Sequence, residues 1–335
     1  MTALLKVEGL DVEIPLAIGT LRPVRSVGFE VERGKTLCIV GESGCGKSLT
    51  SLAIMNLLPR RARRTAQQLS FAGRDLRGLD ERAMADVRGN EIAMIFQEPM
   101  TSLNPAFTIG NQLEEALLRH RKVSRKEARA RALYLLDKVG ITAAAERLAQ
   151  YPHQLSGGLR QRVMIAMALM CAPKLIIADE PTTALDVTIQ AQILHLLAAL
   201  RREFEMGVML ITHDLGIVAR IADRVAVMYA GEIVETGSVE EIFRHPLHPY
   251  TQGLLRCIPV PGKTRRGAHL GSIPGMVPSL LGPLRGCSFR NRCSYGFAPC
   301  AVETVPLAEV APGNAYRCLL TPEACALNAR VGTAA

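Results

Sequence analysis

Eight consecutive residues, Gly41-Glu42-Ser43-Gly44-Cys45-Gly46-Lys47-Ser48, have the spacing G-x-x-x-x-G-K-[ST]. Glycines at these intervals let successive backbone N–H groups turn inward as an anion nest, and a following helix adds its positive end. Lys47 would reach the β- and γ-phosphates of a bound nucleotide, and the Ser48 hydroxyl would ligate Mg²⁺. A second chemistry sits at Asp179-Glu180. A carboxylate at a strand's C-terminal end suits Mg²⁺, and the next acid can polarise an attacking water. Paired acids after a strand also suit a helix N-cap. Ser156-Gly157-Gly158 ahead of a helix would make another anion site, which one nucleotide cannot easily use together with the first from a single chain. Four cysteines, Cys287, Cys293, Cys300 and Cys318, fall within thirty-two residues with five, six and seventeen between them. Such a set can hold Zn²⁺ or an iron–sulfur cluster, or be isolated buried thiols, and it lacks the C-x₂-C clips of zinc ribbons. Cys325 is a possible substitute ligand, whereas Cys38, Cys45, Cys171 and Cys257 read as packing residues.

These residues need elements to hold them. Thr36-Leu37-Cys38-Ile39-Val40 is the apolar run of a buried parallel strand, and Leu49 to Leu58 reads as a helix ending at Pro59. Strand, glycine loop and helix is the context that gives the motif meaning, so binding of ATP or GTP follows. Residues 4–34 alternate apolar and polar between Pro15, Gly19, Pro23 and Gly34, as antiparallel strands and turns would. Ile92–Phe96, Leu175–Ala178 and Val208–Thr212 read as buried strands ending at Gln97, Asp179 and His213. Residues 110–172 read as helical, Ala184-Leu185-Asp186 leads into an amphipathic helix through Leu200, and Arg224–Glu235 forms a hairpin through Ala230-Gly231. From His245 to Gly286, Pro and Gly density predicts a loop-rich wrap.

Length and composition bound the answer. The 335 residues suggest one large domain with an appendage, or two domains. A hydrophobic fraction of 48% with 4% aromatics and no Trp implies an aliphatic core. The first residues lack a signal-peptide layout, and no apolar run approaches ~18 residues, so a cytosolic chain that meets membranes only through a partner is expected. The net charge of +9 draws on Arg60–Arg64 and on seven Lys/Arg between Arg119 and Arg131. That run reads as a solvated helix face, because no aromatics interleave it for base stacking.

The order of the phosphate loop, Gln97, Leu155-Ser156-Gly157-Gly158, Asp179-Glu180, Ala184-Leu185-Asp186 and His213 resembles the ATP-binding cassette (ABC) ATPases over about residues 4–245. His245-Pro246-Leu247-His248-Pro249-Tyr250-Thr251, Ile273-Pro274-Gly275, the Gly286–Cys293 segment and Gln97–Pro105 are similar to the dipeptide/oligopeptide (peptide/nickel) importer ATPases. The resemblance implies an α/β fold, a RecA-like core with an antiparallel β subdomain and a helical subdomain at about 100–172. Residues 1–245 would form the cassette and 246–335 a small loop-rich, cysteine-bearing C-terminal region. It implies ATP and Mg²⁺ bound by residues 41–49, Ile14, Ser156, Gly157, Gly158, Gln161 and Asp186, with Ser48, Gln97 and Asp179 at the metal. Glu180, His213 and Gln97 would serve hydrolysis, and a [4Fe–4S] cluster would sit on the four cysteines. Ile14 falls where the family usually stacks adenine on an aromatic ring, and Leu159 stands where its signature more often has glutamine.

Also implied are an ATP sandwich with a second, similar ATPase subunit in a heterodimer, two transmembrane permease subunits and an external solute-binding protein. The place would be the cytoplasmic face of the plasma membrane, peripherally bound, with no nucleic acid partner. The rival is a soluble ABC ATPase acting on nucleic acid or ribosomes with a metal-bearing C-terminal domain.

Overall fold

The computed structural model describes residues 3–98, 102–183, 185–258 and 271–331. Pro99, Met100, Thr101 and Ala184, which belong to motifs read from the sequence, lie outside the described residues. The strands begin with β1 (Leu5–Leu16), β2 (Gly19–Val31), β3 (Thr36–Val40), β4 (Arg63–Thr65), β5 (Gln68–Phe71) and β6 (Arg74–Asp75). They continue with β7 (Ile92–Ile95), β8 (Leu175–Asp179), β9 (Gly207–Thr212), β10 (Arg224–Tyr229), β11 (Glu232–Ser238), β12 (Ala308–Ala311) and β13 (Asn314–Tyr316). The helices are α1 (Lys47–Ile54), α2 (Glu81–Val87), α3 (Ile109–Leu118), α4 (Arg125–Lys138), α5 (Ala144–Arg147) and α6 (Gly157–Ala168). After them come α7 (Val187–Phe204), α8 (Leu215–Ile221), α9 (Val239–Arg244), α10 (Pro249–Arg256) and α11 (Pro322–Val331).

The chain divides into two compact units. The first comprises Met1–Leu4, Val31–Thr36 and Gly78–Ile211. Its strands β7, β8 and β9 pair in parallel, with Ile92 opposite Leu175 and Ile177 opposite Met209. Every residue of β8 and β9 is buried, which is why these runs are continuously apolar rather than alternating. The helical stretch read at 110–172 consists of several short helices, with Ser124 capping α4 in a reciprocal box with Glu127 and Ser156 capping α6. Of the seven cations of the basic run, Arg119, Arg129 and Arg131 are engaged within the unit. Arg119 meets Asp86 at 3.3 Å and Arg129 meets Glu114 at 3.4 Å, while Arg131 donates to the Leu169 carbonyl at 3.2 Å.

The second unit comprises Leu5–Glu30, Leu37–Arg77 and Thr212–Ala335. One of its sheets runs β2-β1-β5-β6, with β4 also on β1. The short strands expected at 4–34 are two long ones that pass through Pro15 and Pro23. β2 lies at the sheet's edge, where a residue without N–H costs little in ladder bonds. Burial along β1 shifts phase between Val7 and Leu10, at Gly9, whose backbone is left-handed at φ 56°. Elsewhere β10 pairs in parallel with β3 and in antiparallel with β11, and β11 pairs with β13, which pairs with β12. Residues 246–335 therefore share a compact unit with the phosphate loop. The stretch expected to be loop contains α10, which starts at Pro249 with His248 as its N-cap. Among the described residues no helix is long and apolar enough to cross a membrane.

Candidate nucleotide site and cysteine cavity

In the second unit β3 delivers the loop and α1 receives it, as the sequence led one to expect. Two glycines are there for want of room. A Cβ on Gly41 would stand 2.1 Å from the Met228 carbonyl oxygen, and one on Gly46 would stand 2.1 Å from that of Pro23. Gly46 also caps α1 with φ at 103°, open to glycine and costly for a side chain. Ser43 and Gly44 form the exposed tip, whereas Cys45 is buried and its thiol is pushed up by that burial. Lys47 is buried, its Nζ donating to the carbonyls of Gly41 at 2.8 Å and Glu42 at 3.0 Å. Ser48 and Leu49 are half-buried at the start of α1. Ile14 is half-buried on β1, and His213 is exposed just after β9.

In the first unit Asp179 closes β8 and is buried. Glu180 follows with a left-handed backbone, φ 43°, a conformation costing a non-glycine residue about 1 kcal/mol or more. Its N–H donates to the Ile211 carbonyl at 3.0 Å. Its carboxylate accepts from Gln97 Nε2 at 3.0 Å and from Thr183 Oγ1 at 2.9 Å. Three bonds thus fix a strained residue, and Gln97 and Glu180 are brought together across eighty-three positions of sequence. Thr183 was not singled out from the sequence.

The signature segment folds as an N-cap. Ser156 Oγ accepts from Leu159 N–H at 3.4 Å, and a Cβ on Gly158 would come within 3.2 Å of Ile189. Gln161 is fully enclosed within the unit, and among the described residues neither atom of its amide has a hydrogen-bond partner. Asp186 caps α7, accepting from Ile189 N–H at 3.0 Å.

Cys287, Cys293, Cys300 and Cys318 line one cavity of about 10 Å³, room for about one water. Burial raises the Cys287 thiol to about 11 and lifts Cys293 as well. A hydrogen bond from Cys325 holds Cys318 down at about 7, and Cys325 is itself driven up. The donor type suits iron or zinc, but the placement does not follow. Among the described residues no group of three or more His, Cys, Asp or Glu side chains is arranged to hold a metal ion. The iron–sulfur expectation is therefore not supported by the thiols as they stand.

Sequence comparison extends the picture. Residues 24–183 match the model of the ABC transporter family, and residues 234–300 match that of the oligopeptide/dipeptide transporter C-terminal region. The dipeptide transport ATP-binding protein DppD of Bacillus subtilis is 53% identical over 301 residues, covering 90% of this chain and 89% of that protein. A putative peptide import ATP-binding protein of Brucella abortus is 51% identical over 333 residues, covering 96% and 98% respectively. The dipeptide transport ATP-binding protein DppD of Escherichia coli is 48% identical over 316 residues, covering 94% and 96%. Among solved structures, a dimeric ATP-binding cassette in a post-hydrolysis state with ADP and phosphate superposes with a TM-score of 0.63 at 27% identity. It covers 70% of this chain and 98% of its own. With both segments matched and near-full-length identity of about half, the chain belongs to the ATP-binding subunits of ABC transporters, in the dipeptide/oligopeptide importer family.

Proposed function

We propose that this chain hydrolyses ATP to drive import of peptides or a related solute through a membrane transporter. The observation that carries the reading is Glu180, strained at φ 43° and fixed through its carboxylate by Gln97 and Thr183, directly after the buried Asp179. A left-handed backbone recurs at other non-glycine residues, among them Ala72 and Glu205; what sets Glu180 apart is a carboxylate held from two sides next to a buried aspartate at a strand end. Lys47 and Ser48 take the nucleotide phosphates and Mg²⁺, and Asp179 offers the metal a carboxylate oxygen. Glu180 orients the attacking water, with Gln97 at the metal and His213 at the γ-phosphate. The Ser156-Gly157-Gly158 cap serves a nucleotide held by a second ATPase subunit, the two chains forming a heterodimer. Two permease subunits and an external solute-binding protein complete the transporter, and this chain sits peripherally on the cytoplasmic face of the plasma membrane. The peptide-import names of its relatives support that assignment. The rival reading, action on nucleic acid, is not favoured, since the basic run has no interleaved aromatics and, of its seven cations, Arg119, Arg129 and Arg131 are held by partners within their own unit.

Replacement of Glu180 by glutamine keeps the shape but removes the charge. The expected result is MgATP binding within a few-fold of wild type, with hydrolysis and peptide uptake reduced at least ~100-fold, as for loss of a positioned group in phosphoryl transfer. Undiminished hydrolysis would remove Glu180 from its role.

A [4Fe–4S] cluster on Cys287, Cys293, Cys300 and Cys318 belongs to the same proposal, supported by the convergence of four thiols on one cavity. Anaerobic purification should give a brown protein with about four iron and four sulfide per chain. A colourless or zinc-loaded preparation would overturn it.

A further inference from the structure

Glu42, the second residue of the phosphate loop, is gripped twice by residues more than two hundred positions away. Its backbone N–H donates to Tyr250 Oη at 2.9 Å. Its carboxylate receives both arms of Arg292, Nη1 at 2.6 Å and Nη2 at 2.9 Å. This is a bidentate pair, the strongest geometry an arginine and a carboxylate can make. The Arg292 side chain is only 3% exposed, against 31% for Glu42. Its remaining donors are spent as well, Nε on the Pro274 carbonyl and Nη2 on that of Ile273, both at 3.0 Å. The guanidinium lies over the rings of Tyr229 and Phe289 at 5.7 and 6.0 Å. Tyr229 and Tyr250 in turn pack at 4.5 Å between centroids. Arg292 thus has one arrangement available to it.

Arg292 directly precedes Cys293, and the corresponding grip at Cys287 is made by the next residue. Ser288 Oγ donates to Glu232 Oε2 at 2.6 Å, and Arg25 Nη2 donates to the same carboxylate oxygen at 2.9 Å. The cysteine-bearing segment is pinned on both sides, and one of the two pins ends on the phosphate loop itself.

We propose that Arg292 is a positioning residue for nucleotide binding: through Glu42 it holds the first peptides of the phosphate loop in their binding shape. This rests on the reading of residues 41–48 as the nucleotide loop. Arg292 touches neither phosphate nor metal; it acts by removing alternative conformations from a loop whose N–H groups must converge. Its loss raises the cost of ordering the loop when nucleotide arrives, so affinity falls while the chemical step on bound nucleotide is preserved.

The test is MgATP titration of the full chain as wild type, Arg292→Met, Glu42→Gln and the double variant, with steady-state hydrolysis beside it. Each single change should raise the Kd and KM for MgATP about tenfold, within the usual range of coupling between sites, and Arg292→Met should leave kcat within about twofold. The double variant should cost no more in affinity than Arg292→Met alone, because the pair that Glu42→Gln weakens is already gone. Glu42→Gln is isosteric, leaves Arg292 packed against Tyr229 and Phe289, and serves if Arg292→Met does not fold. A purely structural anchor would lower kcat with the active fraction and leave Kd unmoved, and that result, like additive effects in the double variant, would overturn the inference. A wild-type chain that takes up no MgATP would overturn the reading of the loop itself, and the inference with it.

Discussion

Glu235 illustrates what burial alone does to one side chain. It lies almost fully enclosed on β11, and burial lifts its carboxyl from 4.5 to about 7, even though the N–H groups of Leu247 and His248 donate to it at 2.7 and 3.0 Å. The folded chain holds that proton more tightly than the unfolded chain does. Its stabilising contribution is therefore full below 4.5 and is lost as pH rises through about 7, by roughly 1.4 kcal/mol per unit and about 3 kcal/mol in all. His248 runs the other way: burial lowers its ring from 6.5 to about 3, so stability attributable to it rises with pH across that interval. Glu235→Gln separates the two. The wild-type advantage in unfolding free energy should shrink between about pH 4.5 and 7 and be level above that, measured by denaturant melts at several pH values. A difference independent of pH would show that Glu235 does not carry the proton.

At the scale of elements, β3, the glycine loop and α1 were legible because each obeys its local rule: an apolar run, glycines where a Cβ has no room, and a helix-forming stretch. The strands ending at Asp179 and at Thr212 were legible for the same reason. The C-terminal elements were not. β12 is Ala-Glu-Val-Ala, exposed throughout, and β13 is three residues long. Neither has a period to read, and both are strands because β11 offers β13 a free edge, with Glu235 opposite Tyr316. α10 was hidden by Pro249, which reads as a breaker yet sits at the first helical position, where its missing N–H is not needed. Gln161 stands in a recognisable signature, and only the fold shows that the helix turns its side chain into the interior.

The two helix N-termini proposed to take anions, at Gly46 before α1 and Ser156 before α6, lie in different compact units. If Ser156 serves a neighbouring subunit's nucleotide, its effect must appear in trans. Ser156→Arg, mixed with an otherwise active partner subunit, should depress hydrolysis in the partner's site at least ~10-fold. Its own loop should still bind MgATP. The check is turnover in defined mixed dimers carrying a single competent site. Loss confined to the mutated chain's own site would argue against the sandwich.

The sequence by itself determined the motifs: a G-x-x-x-x-G-K-S loop, acids at strand ends, a serine–glycine cap and four thiols within one segment. These were readable because motif spacing encodes local backbone geometry. Only the tertiary structure decided how the pieces meet. It alone joined Gln97 to Glu180, brought four cysteines to one small cavity without setting them at metal-holding distances, and closed Arg292 on Glu42 across 250 positions. Long-range pairing of this kind leaves no trace in spacing. It arises from burial, where an arginine packed among aromatic rings must find a carboxylate, and only the fold determines which one is near.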